Sequence, residues 1–260
     1  MTPPSLTYVG GPTALLEVGG VRLLTDPTFD PPGAEYRAGS YVLRKTQGPA
    51  LALDALGRID AVLLSHDHHF DNLDGAGRAL LPRVPRVLAP KAAAERLGGT
   101  AVGLDPWEAM ELPGPGRALR VTATPARHGP AHLDRGPVIG FVLEAADAAP
   151  IYVSGDTVWY EGMADVARRF AVGTAILFMG AAKVAAVGPW PLTLTTSDAV
   201  EAARTFDKAT IVPLHFEGWE HFSETRADVE AAFRQAGLSS RLRWPEPGRP
   251  ISLANLSYYY

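Results

Sequence analysis

The sequence feature that most constrains this chain is a cluster of histidines and acids directly after a short apolar run. The run, residues 61–64, has the length and composition of a buried strand. The nine residues that follow at 66–74 contain three histidines and three aspartates. Imidazole and carboxylate groups bind zinc and other borderline divalent metals, so the cluster indicates a metal site at a strand end. The alternative is a polar loop whose histidines only face water.

The composition narrows both the metal chemistry and the class of protein. The 260 residues include no cysteine, which leaves histidine and acidic side chains as the available ligands. A hydrophobic fraction of 47% and a charged fraction of 20% are typical of a globular protein. The length suits one domain over residues 1–260, without an internal linker. The net charge of −4 gives no basic surface for nucleic acid.

The chain shows no targeting or membrane-spanning pattern. Its first residues lack the basic and apolar segments of a secretory signal, and no apolar stretch is long enough to span a bilayer. We therefore expect a cytoplasmic enzyme with a small-molecule substrate, no nucleic-acid partner and no stable membrane insertion. The sequence leaves the oligomeric state open.

Strands and helices are predicted along the whole chain. A hairpin is expected over residues 5–24, a long irregular loop over 28–50 and one strand over 102–112. Helices are predicted near residues 74–81, 90–97, 160–170, 195–206 and 224–235. A block of strands followed by mixed strands and helices favours an α+β protein, with two sheets packed face to face and helices outside.

Most histidines follow a predicted strand. The five that do, out of seven, are His66, His68, His69, His128 and His215. Asp156 also follows a strand, next to a glycine that allows close backbone approach. If these strand ends share one edge of the sandwich, the side chains converge on one cleft. Locally, Asp156 could instead cap the following helix, and His128 could be an ordinary loop residue.

The order of these motifs resembles that of the metallo-β-lactamase-fold hydrolase superfamily. Within it, the chain is similar to the branch of L-ascorbate-6-phosphate lactonase-like and N-acyl-phosphatidylethanolamine phospholipase D-like proteins. The matching segments are Thr-Asp-Pro (25–27), His-Asp-His (66–68) with Asp-Asn (71–72), His128, Ser-Gly-Asp-Thr (154–157) and Pro-Leu-His (213–215). The resemblance covers nearly the whole chain and implies a four-layer αββα sandwich with two mixed β-sheets.

The resemblance also implies a set of metal ligands. They are His66, His68, His128 and Asp156 for one ion, and Asp71, Asp156 and His215 for the other. The chain departs from the superfamily signature His-x-His-x-Asp-His, because one residue is inserted between His68 and Asp71 and an asparagine stands at position 72. His69 is a candidate to replace the imidazole missing at Asn72, so one bound ion or two are both open.

The activity implied by the resemblance is hydrolysis by a metal-activated water. Zinc is the expected metal, with manganese and iron as alternatives. Asp71 would orient the water or take its proton, and Asp67 and Asp26 would support the ligands from behind; Asp71 and Asp67 are the predicted catalytic residues. An ester, lactone or phosphodiester is the expected target, and the resemblance to the branch favours a lactone or a phosphodiester without choosing between them. Two other functions stay open: a mononuclear iron oxygenase, and a non-catalytic binding protein whose altered motif no longer holds metal.

Overall fold

Two mixed β-sheets form the centre of the fold in the computed structural model, which describes residues 3–39 and 41–254. The first sheet contains β1 (Ser5–Gly10), β2 (Thr13–Val18), β3 (Val21–Thr25), β6 (Ala61–Leu63), β7 (Val87–Pro90), β8 (Ala101–Leu104) and β15 (Pro250–Ser252). The second contains β9 (Ala109–Leu112), β10 (Leu119–Pro125), β11 (Ile139–Glu144), β12 (Ile151–Val153), β13 (Thr174–Phe178) and β14 (Thr210–Leu214). A separate hairpin consists of β4 (Glu35–Ala38) and β5 (Tyr41–Arg44).

Each sheet joins an antiparallel half to a parallel half. The strand order is β15-β1-β2-β3-β6-β7-β8 in the first sheet and β14-β13-β12-β11-β10-β9 in the second. In the first sheet the strands from β15 to β3 pair antiparallel, and those from β3 to β8 pair parallel. In the second, β9 to β12 are antiparallel and β12 to β14 are parallel.

Within the described residues, five α-helices cover the outer faces of the sheets. They are α1 (Gly75–Leu80), α2 (Lys91–Leu97), α3 (Glu161–Arg169), α4 (Thr196–Thr205) and α5 (Arg226–Gln235). Capping boxes begin α4 at Thr195 and α5 at Thr225, where each threonine and an aspartate three residues later satisfy free backbone amides. All five predicted helices are therefore confirmed, with slightly shorter bounds.

Alternating side chains divide the apolar residues among three cores. In β6, Ala61 and Leu63 point into the core between the two sheets, whereas Val62 joins the core beneath α1 and α2. In β12, Val153 faces the other sheet and Tyr152 packs beneath α3 and α4. This arrangement is a four-layer αββα sandwich, and the predicted fold class is confirmed.

Two segments differ from the prediction. The loop expected over residues 28–50 contains the β4–β5 hairpin. The single strand expected over 102–112 is two strands in different sheets, β8 and β9. Pro106 lies between them, and a proline cannot donate to a ladder, so the chain turns there and crosses from one sheet to the other.

No helix within residues 3–39 and 41–254 combines the length and the apolar character needed to cross a membrane.

A buried ion pair fixes the segment that leads from β6 into α1. The Nζ atom of Lys45 lies 2.9 Å from Oδ2 of Asp74, and both side chains are almost fully buried. Asp74 also caps α1, because Oδ1 accepts from the Gly77 amide at 2.8 Å. The pair thereby joins the β4–β5 hairpin segment to the histidine- and acid-rich stretch.

Replacing Lys45 by methionine is expected to lower the free energy of unfolding by about 3–5 kcal/mol, because the Asp74 carboxylate stays buried without its partner. Urea unfolding followed by circular dichroism measures the change. The matched control is Lys91→Met, since Lys91 forms exposed pairs with Asp105 and Glu108 and its loss should change the free energy of unfolding far less. Equal effects of the two substitutions would contradict a stabilising role for the buried pair.

Candidate metal centre

The strand ends that the sequence singles out meet at one edge of the sandwich. β10, β12 and β14 run in the same direction, because β11 is antiparallel to β10 and β12 and β14 joins through parallel β13. His128, Asp156 and His215 follow their carboxyl ends. His66 follows β6 of the opposite sheet, and the Ile139 amide donates to the Ser65 carbonyl at 3.1 Å, which holds the two edges together.

Three imidazoles form the first group of the site, called here the imidazole group. Nδ1 of His69 lies 3.0 Å from Nε2 of His66 and 3.0 Å from Nε2 of His128. The other ring nitrogens are held by neighbours: Nδ1 of His66 lies 2.9 Å from the Ser65 hydroxyl, and Nδ1 of His128 lies 2.8 Å from the Leu192 carbonyl. Because a carbonyl only accepts, His128 carries its proton on Nδ1, and its Nε2 lone pair faces the other rings.

Two carboxylates and a fourth imidazole form the second group, called here the acid group. Nε2 of His215 lies 3.5 Å from Oδ1 of Asp156 and 3.6 Å from Oδ2 of Asp71. The other oxygen of Asp156, Oδ2, lies 3.6 Å from Nε2 of His128 in the imidazole group. All of these side chains are buried. Asp156 therefore lies between the two groups, where a bridging ligand is expected.

The charges of the acid group depend on one another. Burial alone would raise the pKa of Asp71, but the imidazoles of His221 and His215 hold it well below its usual value. Burial would also raise the pKa of Asp156, but the nearby His215 imidazole is the main cause that lowers it below its usual value. Burial would lower the pKa of His215, yet Asp156 and Asp71 raise it to about 10. Two ionised carboxylates thus share one imidazolium, whose proton a divalent cation can replace.

Within the acid group, the distances fit side chains that share a cation better than hydrogen-bonded pairs. Burial lowers the pKa of His66 and of His69, the latter to about 3, so both rings are neutral and offer lone pairs. Among the described residues, Oδ2 of Asp156 and both ring nitrogens of His215 are buried without a hydrogen-bond partner. Ligands about 2.0–2.2 Å from a tetrahedral ion lie roughly 3.3–3.6 Å apart, close to the separations in the acid group. The donors therefore fit divalent metal ions.

Asp26 supports the imidazole group from behind. Its carboxylate accepts from the Ser65 amide at 2.6 Å and from the Ser65 hydroxyl at 2.7 Å, and burial raises its pKa to about 7. The same hydroxyl contacts Nδ1 of His66, so Asp26 orients the His66 ring through Ser65. The supporting role expected for Asp26 stays a prediction, and this contact favours it.

The backbone is unusual at two positions of the site. His215 has a φ of 54°, and its amide donates to the Gly11 carbonyl at 2.9 Å. A left-handed conformation costs a residue with a side chain about 1–3 kcal/mol, so it persists only where the surroundings hold it. Gly155 has a φ of 61°, and a Cβ there would lie 2.9 Å from Ser65 Cβ. Glycine thus lets the Asp156 loop approach the opposite sheet.

Two predicted site residues lie outside both groups. His68 is exposed, and its Nε2 lies 2.6 Å from the Arg135 carbonyl. The Asp67 carboxylate pairs with the Arg96 guanidinium. His69, expected as a substitute in the acid group, occupies instead the place in the imidazole group that the resemblance gave to His68. The geometry gives no support to His68 as a ligand or to Asp67 as a catalytic residue, and both assignments stay predictions.

His221, which is not among the predicted ligands, lies beside the acid group. Its Nε2 lies 3.0 Å from Oδ2 of Asp71. The rule that selected the other histidines was position after a strand, and His221 stands six residues beyond His215 in the following loop. Asn72, at the position of the missing family histidine, directs Nδ2 toward Asp26 and Asp156 at 3.3 Å each.

The sandwich and the two groups at its edge define a metallo-β-lactamase-fold protein with a candidate metal centre. Residues 21–216 match the Beta-lactamase superfamily domain, and the chain belongs to this family. A UPF0173 metal-dependent hydrolase of Opitutus terrae is 31% identical over 261 residues, covering 95% of this chain and 99% of that protein. The predicted superfamily of metal-dependent hydrolases is confirmed, whereas the branch within it stays a prediction.

Solved structures with the same fold carry different activities. Isothiocyanate hydrolase from Delia radicum gut bacteria has a TM-score of 0.82 at 24% identity, covering 96% of this chain and 99% of that chain. CmlA, a diiron beta-hydroxylase from Streptomyces venezuelae, has a TM-score of 0.68 at 17% identity, covering 97% of this chain and 54% of that chain. At these identities the likeness shows the fold alone.

Replacing His69 by alanine is expected to weaken metal binding at the imidazole group by at least about tenfold, because one of three converging nitrogens is removed. The metal content of loaded and desalted protein, measured by plasma mass spectrometry, should fall by close to one equivalent. The neighbouring His68→Ala substitution is the control and should keep the wild-type content. A loss confined to His68→Ala would instead identify His68 as the ligand.

Proposed function

We propose that this chain hydrolyses an ester, lactone or phosphodiester bond of a small-molecule substrate at the centre formed by the imidazole and acid groups. The observation that carries the proposal is Asp156, whose two oxygens face one group each. Two cation positions that share a carboxylate are a recurrent arrangement in metal-dependent hydrolysis. The kinship with a metal-dependent hydrolase supports the same reaction class.

We assign the ligands from the two groups as the geometry arranges them. The first position would be held by His66, His69, His128 and Asp156, and the second by Asp71, Asp156 and His215. Nitrogen and oxygen donors without sulfur suit zinc, manganese or iron, and zinc is the metal we expect. When bound, such an ion lowers the pKa of a coordinated water far below its bulk value, toward about 7.

The protein's own part in the reaction is to orient groups and accept a proton. Asp71 stays ionised because His221 and His215 lower its pKa against the effect of burial, so its carboxylate can orient the attacking water and accept its proton. The hydrogen bond from His128 to Leu192 and the contact of His66 with Ser65 fix both rings before substrate arrives.

Two loops reach the centre and are suited to select the substrate. In the β4–β5 hairpin, Tyr36 stacks on Phe70 at 4.8 Å and lies 5.6 Å from the Trp219 ring, next to the segment that carries Asp71. From the other side, the loop over residues 181–194 contacts His128 through the Leu192 carbonyl. Aromatic and apolar surfaces beside a polar centre favour a small organic substrate over an extended polymer.

An iron oxygenase on this fold is a second candidate, because imidazole and carboxylate donors without thiolate also suit iron. Metal identity separates the two reactions. Stoichiometric iron with substrate-dependent oxygen consumption favours oxidation, and zinc or manganese with hydrolysis of the substrate favours the proposal.

Hydrolysis of a panel of lactones, esters and phosphodiesters by the purified, metal-analysed protein tests the proposal. The Asp71→Asn variant is expected to lower kcat by about 10²–10⁴-fold on whichever substrate is active, because an amide cannot accept the proton. A chelator should abolish turnover, and added zinc should restore it.

Asp147→Asn is the matched control for this experiment, because Asp147 is exposed on a turn and should leave kcat unchanged. Turnover that survives both the chelator and Asp71→Asn would exclude the proposed centre as its source.

A further inference from the structure

We propose that His221 supplies a second imidazole ligand to the metal position of the acid group, in place of the imidazole missing at Asn72. The inference rests on the proposed metal centre, but not on the bond that the centre hydrolyses. It assigns a role to a residue that neither the strand-end pattern nor the superfamily signature includes.

The contacts of His221 converge on the same oxygen as those of a proposed ligand. Its Nε2 lies 3.0 Å from Oδ2 of Asp71, and Nε2 of His215 lies 3.6 Å from that oxygen. Both rings also pack against Phe222, with centroids 4.7 Å and 4.9 Å away. The two imidazoles therefore lie next to one carboxylate, from positions six residues apart in the same loop.

The backbone of the loop holds His221 in this place. Its carbonyl accepts from the Lys183 amide at 2.8 Å, and two residues earlier Trp219 forms a β-bridge with Lys45. The His221 side chain is only 10% exposed, and among the described residues its Nδ1 is buried without a hydrogen-bond partner. A surface histidine that merely faced water would show neither feature.

Asn72 does not supply the imidazole that is missing at its position. Its Nδ2 faces Asp26 and Asp156 at 3.3 Å each, and its Oδ1, which among the described residues is buried without a hydrogen-bond partner, is an amide oxygen and not one of the nitrogen, thiolate or carboxylate ligands that zinc prefers. The acid group then contains two carboxylates but only one imidazole, His215. Adding His221 gives two carboxylates and two imidazoles, which are four donors of the kinds that zinc prefers and whose two negative charges balance a divalent cation.

Zinc titration of the chelator-treated full chain by calorimetry tests the inference. The wild type should bind two equivalents. His221→Ala should bind the first as before and the second at least about tenfold more weakly, because a ligand is lost. His132→Ala is the matched control, since His132 is exposed against Trp190, and it should bind as the wild type does.

A second variant separates donation of a nitrogen from support of the loop. Asn72→His in the His221→Ala background returns an imidazole to the acid group from another position and should restore the second equivalent. With cobalt(II) in place of zinc, the visible absorption of the second equivalent should change in His221→Ala and partly recover in the double variant. Circular dichroism checks that each variant is folded.

Three results of the zinc titrations would contradict a role of His221 as a ligand. A wild type that binds one equivalent, a His221→Ala variant that binds two with unchanged affinity, or a double variant that stays deficient would each overturn the inference. The titration measures zinc binding and not hydrolysis. If the chain binds a second equivalent that depends on His221 but hydrolyses no substrate of the panel, the proposed function is refuted and this inference stands.

Discussion

Two ionised carboxylates, Asp71 and Asp156, are buried side by side at the edge of the sandwich, and much of the surrounding structure serves to neutralise them. A carboxylate removed from water without a partner costs several kcal/mol, so positive charge has to lie close by. In the protein alone the proton of His215, whose pKa the two acids raise to about 10 against the effect of burial, is one source of that charge, and His221 acts on Asp71 in the same direction. The left-handed backbone of His215 is tolerated for the same reason, because it brings the ring to both acids.

The three aspartates of the histidine- and acid-rich stretch show how one short segment serves different needs. Asp71 enters the acid group, Asp74 pairs with the buried Lys45, and Asp67 pairs with Arg96. Only the first of these contacts belongs to the candidate metal centre; the other two fix the segment on either side of it. Because both flanking pairs are made to separate elements of the fold, Asp71 is held in position by contacts that a metal ion does not need to supply.

Strand alternation and strand ends made the fold and most of the centre predictable. His66, His128, Asp156 and His215 each follow a buried run, and runs of this kind end at one edge when strands are parallel. The choice between His68 and His69 was not predictable, because a single inserted residue decides which ring turns inward. The β4–β5 hairpin lies in a stretch without clean alternation, and His221 is placed by a loop whose path depends on tertiary contacts. Local pattern carries no information about either.

Asn72 links the imidazole group to the acid group through its side-chain amide. An amide nitrogen carries two protons, so it can face two acids at once, and here it faces Asp26 and Asp156 at 3.3 Å each. Asp26 orients His66 through Ser65, whereas Asp156 lies between the groups. Asn72 therefore connects the support of the imidazole group to the carboxylate that both groups share. A neutral imidazole at position 72 would carry only one proton and could not make both contacts. Asparagine at this position makes them, and the imidazole that the acid group then lacks would come from His221.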